Sequence, residues 1–174
     1  MPAPSAAATA AAFAAAPQLA AFADGHVTGI GMMSATSYEG QPHTVVTSAN
    51  FQFDTFAPAY LQLGLLDAEI YRGWGGAGDG QFELTISNHG TELFARSFDS
   101  LDAAQAFFSG YAVKLGEFGA GSQDLLVTAG FTLHGGAGFA FRYAVGVSPV
   151  PEPQTWMLML LGGTLLMLRR RPRG

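Results

Sequence analysis

The chain has 174 residues, no cysteine and a net charge of −5; 49% of its residues are hydrophobic and only 12% charged. That composition excludes a disordered polyelectrolyte, a disulfide scaffold, a thiol nucleophile and a cysteine-based zinc site, and the lack of a basic face argues against a nucleic-acid binder. The charge is unevenly placed. Residues 1–148 hold twelve acidic and four basic side chains, whereas Arg169, Arg170, Arg171 and Arg173 crowd into the last six positions.

Residues 5–23 are apolar and dominated by alanine, and Ala21-Phe22-Ala23 before Asp24 has the small-x-small pattern that signal peptidase reads. A signal peptide over residues 1–23, handled by the Sec machinery, is therefore expected; the alternative reading is an alanine-rich flexible lead. No Lys or Arg precedes the apolar stretch, so its basic start is expected further upstream.

Residues 24–147 are long enough for one domain, and their hydrophobicity repeats mostly with period two. His43–Phe53, Gln81–Ser87 and Glu92–Phe98 alternate apolar and polar side chains, which predicts half-buried strands. Asn88-His89-Gly90 is a turn signal, because Gly and Asn tolerate positive φ, and makes 81–98 a hairpin. Further strands are expected at Tyr111–Phe118, Asp124–His134 and Phe139–Val147, separated by glycine-rich turns. His26–Met32 and Leu61–Tyr71 carry weaker strand patterns.

One segment breaks the alternation. Ser100 can cap a helix, Asp102 suits the positive end of its dipole, good helix formers follow, and Gly110 ends it. A helix over 101–108 with Leu101, Ala104, Phe107 and Phe108 turned inward is expected. Together these elements predict a mainly β fold: an antiparallel β-sandwich of jelly-roll character with one short helix, followed by a C-terminal hydrophobic helix.

Candidate chemistry in the body is sparse. His26, His43, His89 and His134 show no metal-ligand spacing. Asp54, Asp67, Glu69 and Asp79 are carboxylates of the kind a glycosidase pairs, and Ser122 in Gly119-Ala-Gly-Ser-Gln-Asp124 has no base positioned by sequence. No catalytic residue, metal or cofactor is expected. The loop Arg72-Gly-Trp-Gly-Gly-Ala-Gly-Asp-Gly80 offers the clearest ligand chemistry. Tyr71 and Trp74 can stack on a sugar ring, and Asp79 with backbone carbonyls suits Ca²⁺; the other reading is a connection in which Trp74 covers the sandwich edge.

From residue 148 three unlike pieces follow one another. Pro149, Pro151 and Pro153 lack backbone donors, so 148–154 reads as a stiff spacer that cannot continue a strand ladder. Trp156–Leu168 is thirteen uncharged residues, about 20 Å as a helix against the roughly 30 Å of a hydrocarbon core. Arg169–Arg173 then form a basic stop on the cytoplasmic side. The order Pro151-Glu152-Pro153, apolar run, arginine cluster resembles the PEP-CTERM sorting signal of exopolysaccharide-producing Gram-negative bacteria. It covers roughly the last 26 residues. Phe51-Gln-Phe-Asp-Thr-Phe56 resembles, with loose spacing, the FxDxF element of one group of such proteins.

The resemblance implies a tail over 148–174 with a transmembrane helix at about 155–168, and recognition by a membrane-embedded exosortase that cuts near Pro-Glu-Pro. It further implies a transient stay at the inner membrane before release to the cell surface or the extracellular matrix. The expected function is thus a non-enzymatic surface or matrix protein associated with exopolysaccharide in a biofilm. The alternatives are a secreted carbohydrate-binding module, a secreted hydrolase, and a bitopic membrane protein that keeps its tail.

Overall fold

A computed structural model of the chain describes residues 26–38, 42–73, 78–109 and 112–150. Ala21, Ala23, Trp74 and the sorting tail from residue 151 on, including Pro151, Glu152, Pro153 and the four arginines, lie outside the described residues. So does the hydrophobic helix expected at 155–168.

Eight strands and one helix follow in the order β1 (His26–Thr36), β2 (His43–Thr55), β3 (Ala59–Tyr71), β4 (Gly80–Asn88), β5 (Thr91–Phe98), α1 (Leu101–Phe108), β6 (Ala112–Phe118), β7 (Gly121–Leu133) and β8 (Gly138–Pro149). They form two four-stranded antiparallel sheets, β1-β8-β3-β6 and β2-β7-β4-β5. Four of the pairings, β1 with β8, β2 with β7, β3 with β6 and β4 with β5, join strands whose numbers sum to nine.

Period two explains the core. Leu61, Leu63 and Leu65 of β3 and Phe139, Phe141, Tyr143 and Val145 of β8 face Phe82, Leu84 and Ile86 of β4 and Leu125, Val127, Phe131 and Leu133 of β7. Phe82 is the hub, with ring centroids 5.1–5.8 Å from those of Phe98, Phe108, Phe131, Phe139 and Phe141.

Helix α1 crosses from β5, an edge of one sheet, to β6, an edge of the other. The Ser100 side chain accepts from the Ala103 amide, and Leu101, Ala104 and Phe108 are fully buried. Phe107 is only partly buried, stacked against Phe94, tilted against Phe98 and under the Arg96 guanidinium 4.6 Å from its centroid.

Two expectations are corrected. In the β4–β5 turn the positive φ angles belong to His89 (48°) and Gly90 (77°), as a two-residue turn matched to strand twist requires. Asn88 instead is buried: it donates to Gln123 Oε1 at 2.8 Å and accepts from the Asp124 amide at 2.9 Å. Secondly, the ladder does not stop before Ser148. Tyr60 pairs with Ser148 and Ala59 with Pro149, and the Val150 amide donates to the Pro58 carbonyl at 3.2 Å. Pro149, which has no N–H to donate, is the last residue of β8.

Strand β1 shows why its pattern was faint. Gly29 and Gly31 occupy positions where a Cβ would collide with the rings of Phe51 and Tyr143, so neighbouring strands supply the apolar mass that β1 lacks. Tyr143 is completely buried, edge-on to Phe51, and its hydroxyl has no hydrogen-bond partner. Burial pushes that hydroxyl from 10.0 to about 12. The unfolded chain gives up the proton near pH 10 and the folded chain does not, so stability present below pH 10 is lost as pH rises towards 12. Tyr143→Phe is therefore expected to gain about 1–2 kcal/mol at pH 7 by removing an unpartnered hydroxyl, and to show a smaller loss than wild type between pH 10 and 12. Urea unfolding at several pH values checks this; parallel alkaline profiles for the two proteins would contradict it.

Candidate functional site

The end of the sandwich where β3, β7 and β8 turn gathers most of the candidate ligand loop. Arg72 leaves β3 and bridges to α1: Nη2 lies 2.8 and 2.7 Å from the two Asp102 oxygens, and Nη1 donates to the Gly78 carbonyl at 2.8 Å. Gly78, at φ 113°, packs against the His134 and Gly135 carbonyls so closely that a Cβ would meet them at 2.9 and 2.8 Å.

Asp79 is engaged in the same fastening. Its Oδ1 accepts from the Gly80 amide at 2.8 Å and from the Leu101 amide at 3.2 Å, and its carbonyl accepts from His134 at 2.8 Å. One carboxylate thus satisfies an orphan donor of the helix start and ties it to β4. The two backbone donors hold its pKa below the ordinary carboxylate value.

Tyr71 does not join Asp79. Its half-exposed ring lies on the outer face of the β1-β8-β3-β6 sheet, and its hydroxyl donates to Glu69 Oε2 at 2.7 Å, which raises the hydroxyl's pKa. Beside it Asp67 pairs with Arg142 at 3.4 Å. The expected loop site is therefore divided: Tyr71 belongs to a sheet face, Asp79 to a helix cap.

The other candidates are dispersed. Asp54 is exposed on β2, in the opposite sheet from Asp67 and Glu69. His43 starts β2 and is exposed. His89 sits in the β4–β5 turn with Nε2 3.0 Å from the Ser122 carbonyl, and His134 caps the end of β7. Among the described residues no three His, Asp or Glu side chains come together as a metal-binding group. Gln123, next to Ser122, is buried and reaches Asn88 and Thr55, so this glycine-serine turn carries a structural hydrogen-bond network. Of the Phe51–Phe56 string, Phe51 and Phe53 pack against the core, while Phe56 is 98% exposed. Among the described residues no helix is long and apolar enough to cross a membrane.

What sequence reasoning missed is Arg142. It lies 75 positions from Asp67, and only the antiparallel register of β3 with β8 brings the two together.

No protein-family model matches the chain, and no curated protein matches it.

Asp79→Ala leaves the Leu101 and Gly80 amides without their acceptor and is expected to cost about 0.5–2 kcal/mol in urea unfolding at pH 7. Because the folded pKa is depressed, the carboxylate's contribution is present above the ordinary carboxylate range and is lost as pH falls through the folded value. The gap between the two proteins should thus narrow in acid. Equal stability at pH 7 would contradict the capping role.

Proposed function

We propose that this protein is an exported, non-enzymatic component of the cell surface or extracellular matrix, delivered by its C-terminal sorting tail and associated with exopolysaccharide. The observation that carries the reading is the order of Pro151-Glu152-Pro153, thirteen uncharged residues and Arg169–Arg173 immediately after the last strand of a self-contained body. Exosortase and the Sec machinery are the partners it implies, with the inner membrane as a temporary station and the arginines held on its cytoplasmic side.

The fold supports this division of labour. β8 closes at Pro149, so a cut near Pro-Glu-Pro leaves every ladder of the body intact. His26 of β1 pairs with Val147 of β8, so the start of the first described strand and the end of the last lie together at one end of the body. The body itself is read as a jelly roll: pairings of the first strand with the eighth, second with seventh, third with sixth and fourth with fifth are those of a double Greek key closed into a two-sheet roll.

Loss of the tail turns the chain's −5 into about −8, since residues 1–148 hold twelve acidic and four basic side chains. An acidic body stays soluble outside the cell once its apolar segment is gone.

Intact-mass measurement of the protein recovered from the surface and medium of exosortase-containing cells tests the proposal. Loss of everything beyond about residue 153 is expected. A mature form that still ends at Gly174 would contradict sorting and favour a bitopic anchor.

A further inference from the structure

We propose that the outer face of the β1-β8-β3 strands carries a carbohydrate subsite, built around Tyr71 and Arg142, that takes one ring of a neutral sugar within a polysaccharide chain. The inference rests on the matrix reading only for the source of the ligand; the recognition chemistry stands on the groove itself.

The site exists because of a register shift in β3. Leu61, Leu63 and Leu65 face the core, and with unbroken alternation Asp67, Glu69 and Tyr71 would follow them inward. Between Leu65 and Asp67 the ladder slips by one residue, and Leu66 is the extra position. Beyond it the phase is inverted. Ala68 and Ile70 pack against the core, while Asp67, Glu69 and Tyr71 stand on the outer face. A buried pair of carboxylates would be prohibitively costly, so the bulge is what makes this sequence compatible with the strand.

Three cross-strand rows run across this face: Met32, Arg142 and Asp67; Ser34, Ala140 and Glu69; Thr36, Gly138 and Tyr71. Thr36 and Tyr71 close over Gly138, so the low floor is at Ala140, with Met32, Arg142, Asp67, Glu69 and Tyr71 standing around it. Tyr71 is 52% and Met32 66% exposed, an unusual exposure for two large apolar side chains lining the same groove.

The chemistry matches a pyranose. Such a ring offers a C–H face, which an aromatic ring and a thioether can cover, and rim hydroxyls that donate and accept. Glu69 and Asp67 supply acceptors, and Arg142 supplies a planar donor. The Tyr71–Glu69 hydrogen bond and the Arg142–Asp67 pair hold these groups in place before any ligand arrives. Two carboxylates to one guanidinium, on an acidic body, disfavour a polyanionic polymer.

At about 60 Å³ the groove is far smaller than the roughly 300–1,000 Å³ that engulfs a free small molecule. It suits one ring of a long chain lying across the surface, where repeated engagement supplies affinity. The Tyr71 row is at the opposite end of the sheet from the His26–Val147 pair, about ten residues or roughly 33 Å along β3.

Two larger hollows fit less well. The one of about 210 Å³ on the other sheet, around Thr44, Glu83 and Gly130, presents no exposed aromatic ring. The one of about 620 Å³ between β3 and α1 is lined by Asp102 and Gln105, which already bind Arg72 and the Ala68 carbonyl.

Affinity electrophoresis tests the assignment. The full chain, held in a polyoxyethylene detergent without sugar headgroups, is run in native gels containing hydroxyethylcellulose, galactomannan, dextran or alginate. Retardation by at least one of the three neutral polymers is expected. Tyr71→Ala and Arg142→Ala should each weaken it by about tenfold, Tyr71→Phe, which keeps the ring, by no more than about threefold, and Val46→Ser, on the opposite sheet, not at all. Retardation by none of the neutral polymers, by alginate alone, or of undiminished strength in Tyr71→Ala would overturn the proposal. Because the unprocessed chain is used, a negative gel counts against the groove alone, and an intact Gly174 in cells counts against sorting alone.

Discussion

The ring of Phe82 stands where both sheets and helix α1 meet, in contact with Phe98 and Phe131 of its own sheet, Phe139 and Phe141 of the other, and Phe108 of the helix. Each fully buried ring of this kind contributes about 1.5–3 kcal/mol, and edge-to-face and tilted contacts add to that. With few charges and no disulfides, the body depends on this cluster for the spacing of its sheets. A small domain without cysteine cross-links has little else to rely on.

A second constraint decides the surface. The bulge at Leu66 is a one-residue change in a strand, yet it reverses which side chains of β3 meet water. The same strand that builds the core with three leucines thereby presents two carboxylates and a tyrosine outward. The bulge near Thr28 and the glycines of β1 answer a related demand: the first strand must lie against Phe51 and Tyr143, which leave it no room for side chains at Gly29 and Gly31. Core packing and surface chemistry are coupled in both strands. The antiparallel register then gives the described body two distinct ends, one holding the His26–Val147 pair and one carrying the Arg72–Asp102 clamp and the Tyr71 row.

Much of this was legible in the sequence where a single rule operates over a whole element. Gln81–Ser87 alternates cleanly because one face of β4 is buried, and Ser100 through Phe108 announces a helix by its cap and its spacing. Leu61–Tyr71 was faint because its alternation changes phase at Leu66, so each half reads as strand and the whole does not. Asn88 was given the turn's left-handed role, but the buried acceptor and donor positions around Gln123 and Asp124 made better use of its amide, and His89 took the positive φ. At the candidate site, Tyr71 and Asp79 were visible as residues with ligand chemistry. Their separation was not visible, since one follows the sheet pleat and the other is drawn to the helix start. Arg142 became a partner of Asp67 only through long-range register, which local pattern does not encode.

Native-state hydrogen exchange on Phe82→Leu, which keeps apolar bulk while removing the ring contacts, tests the central claim most directly. If the aromatic cluster binds both sheets and the helix into one unit, amides in the middle of β4, β7 and β8 and in the last turn of α1 should lose protection together, by one common factor relative to wild type. Loss confined to β4 and its neighbours β5 and β7, with β8 and α1 unchanged, would contradict it.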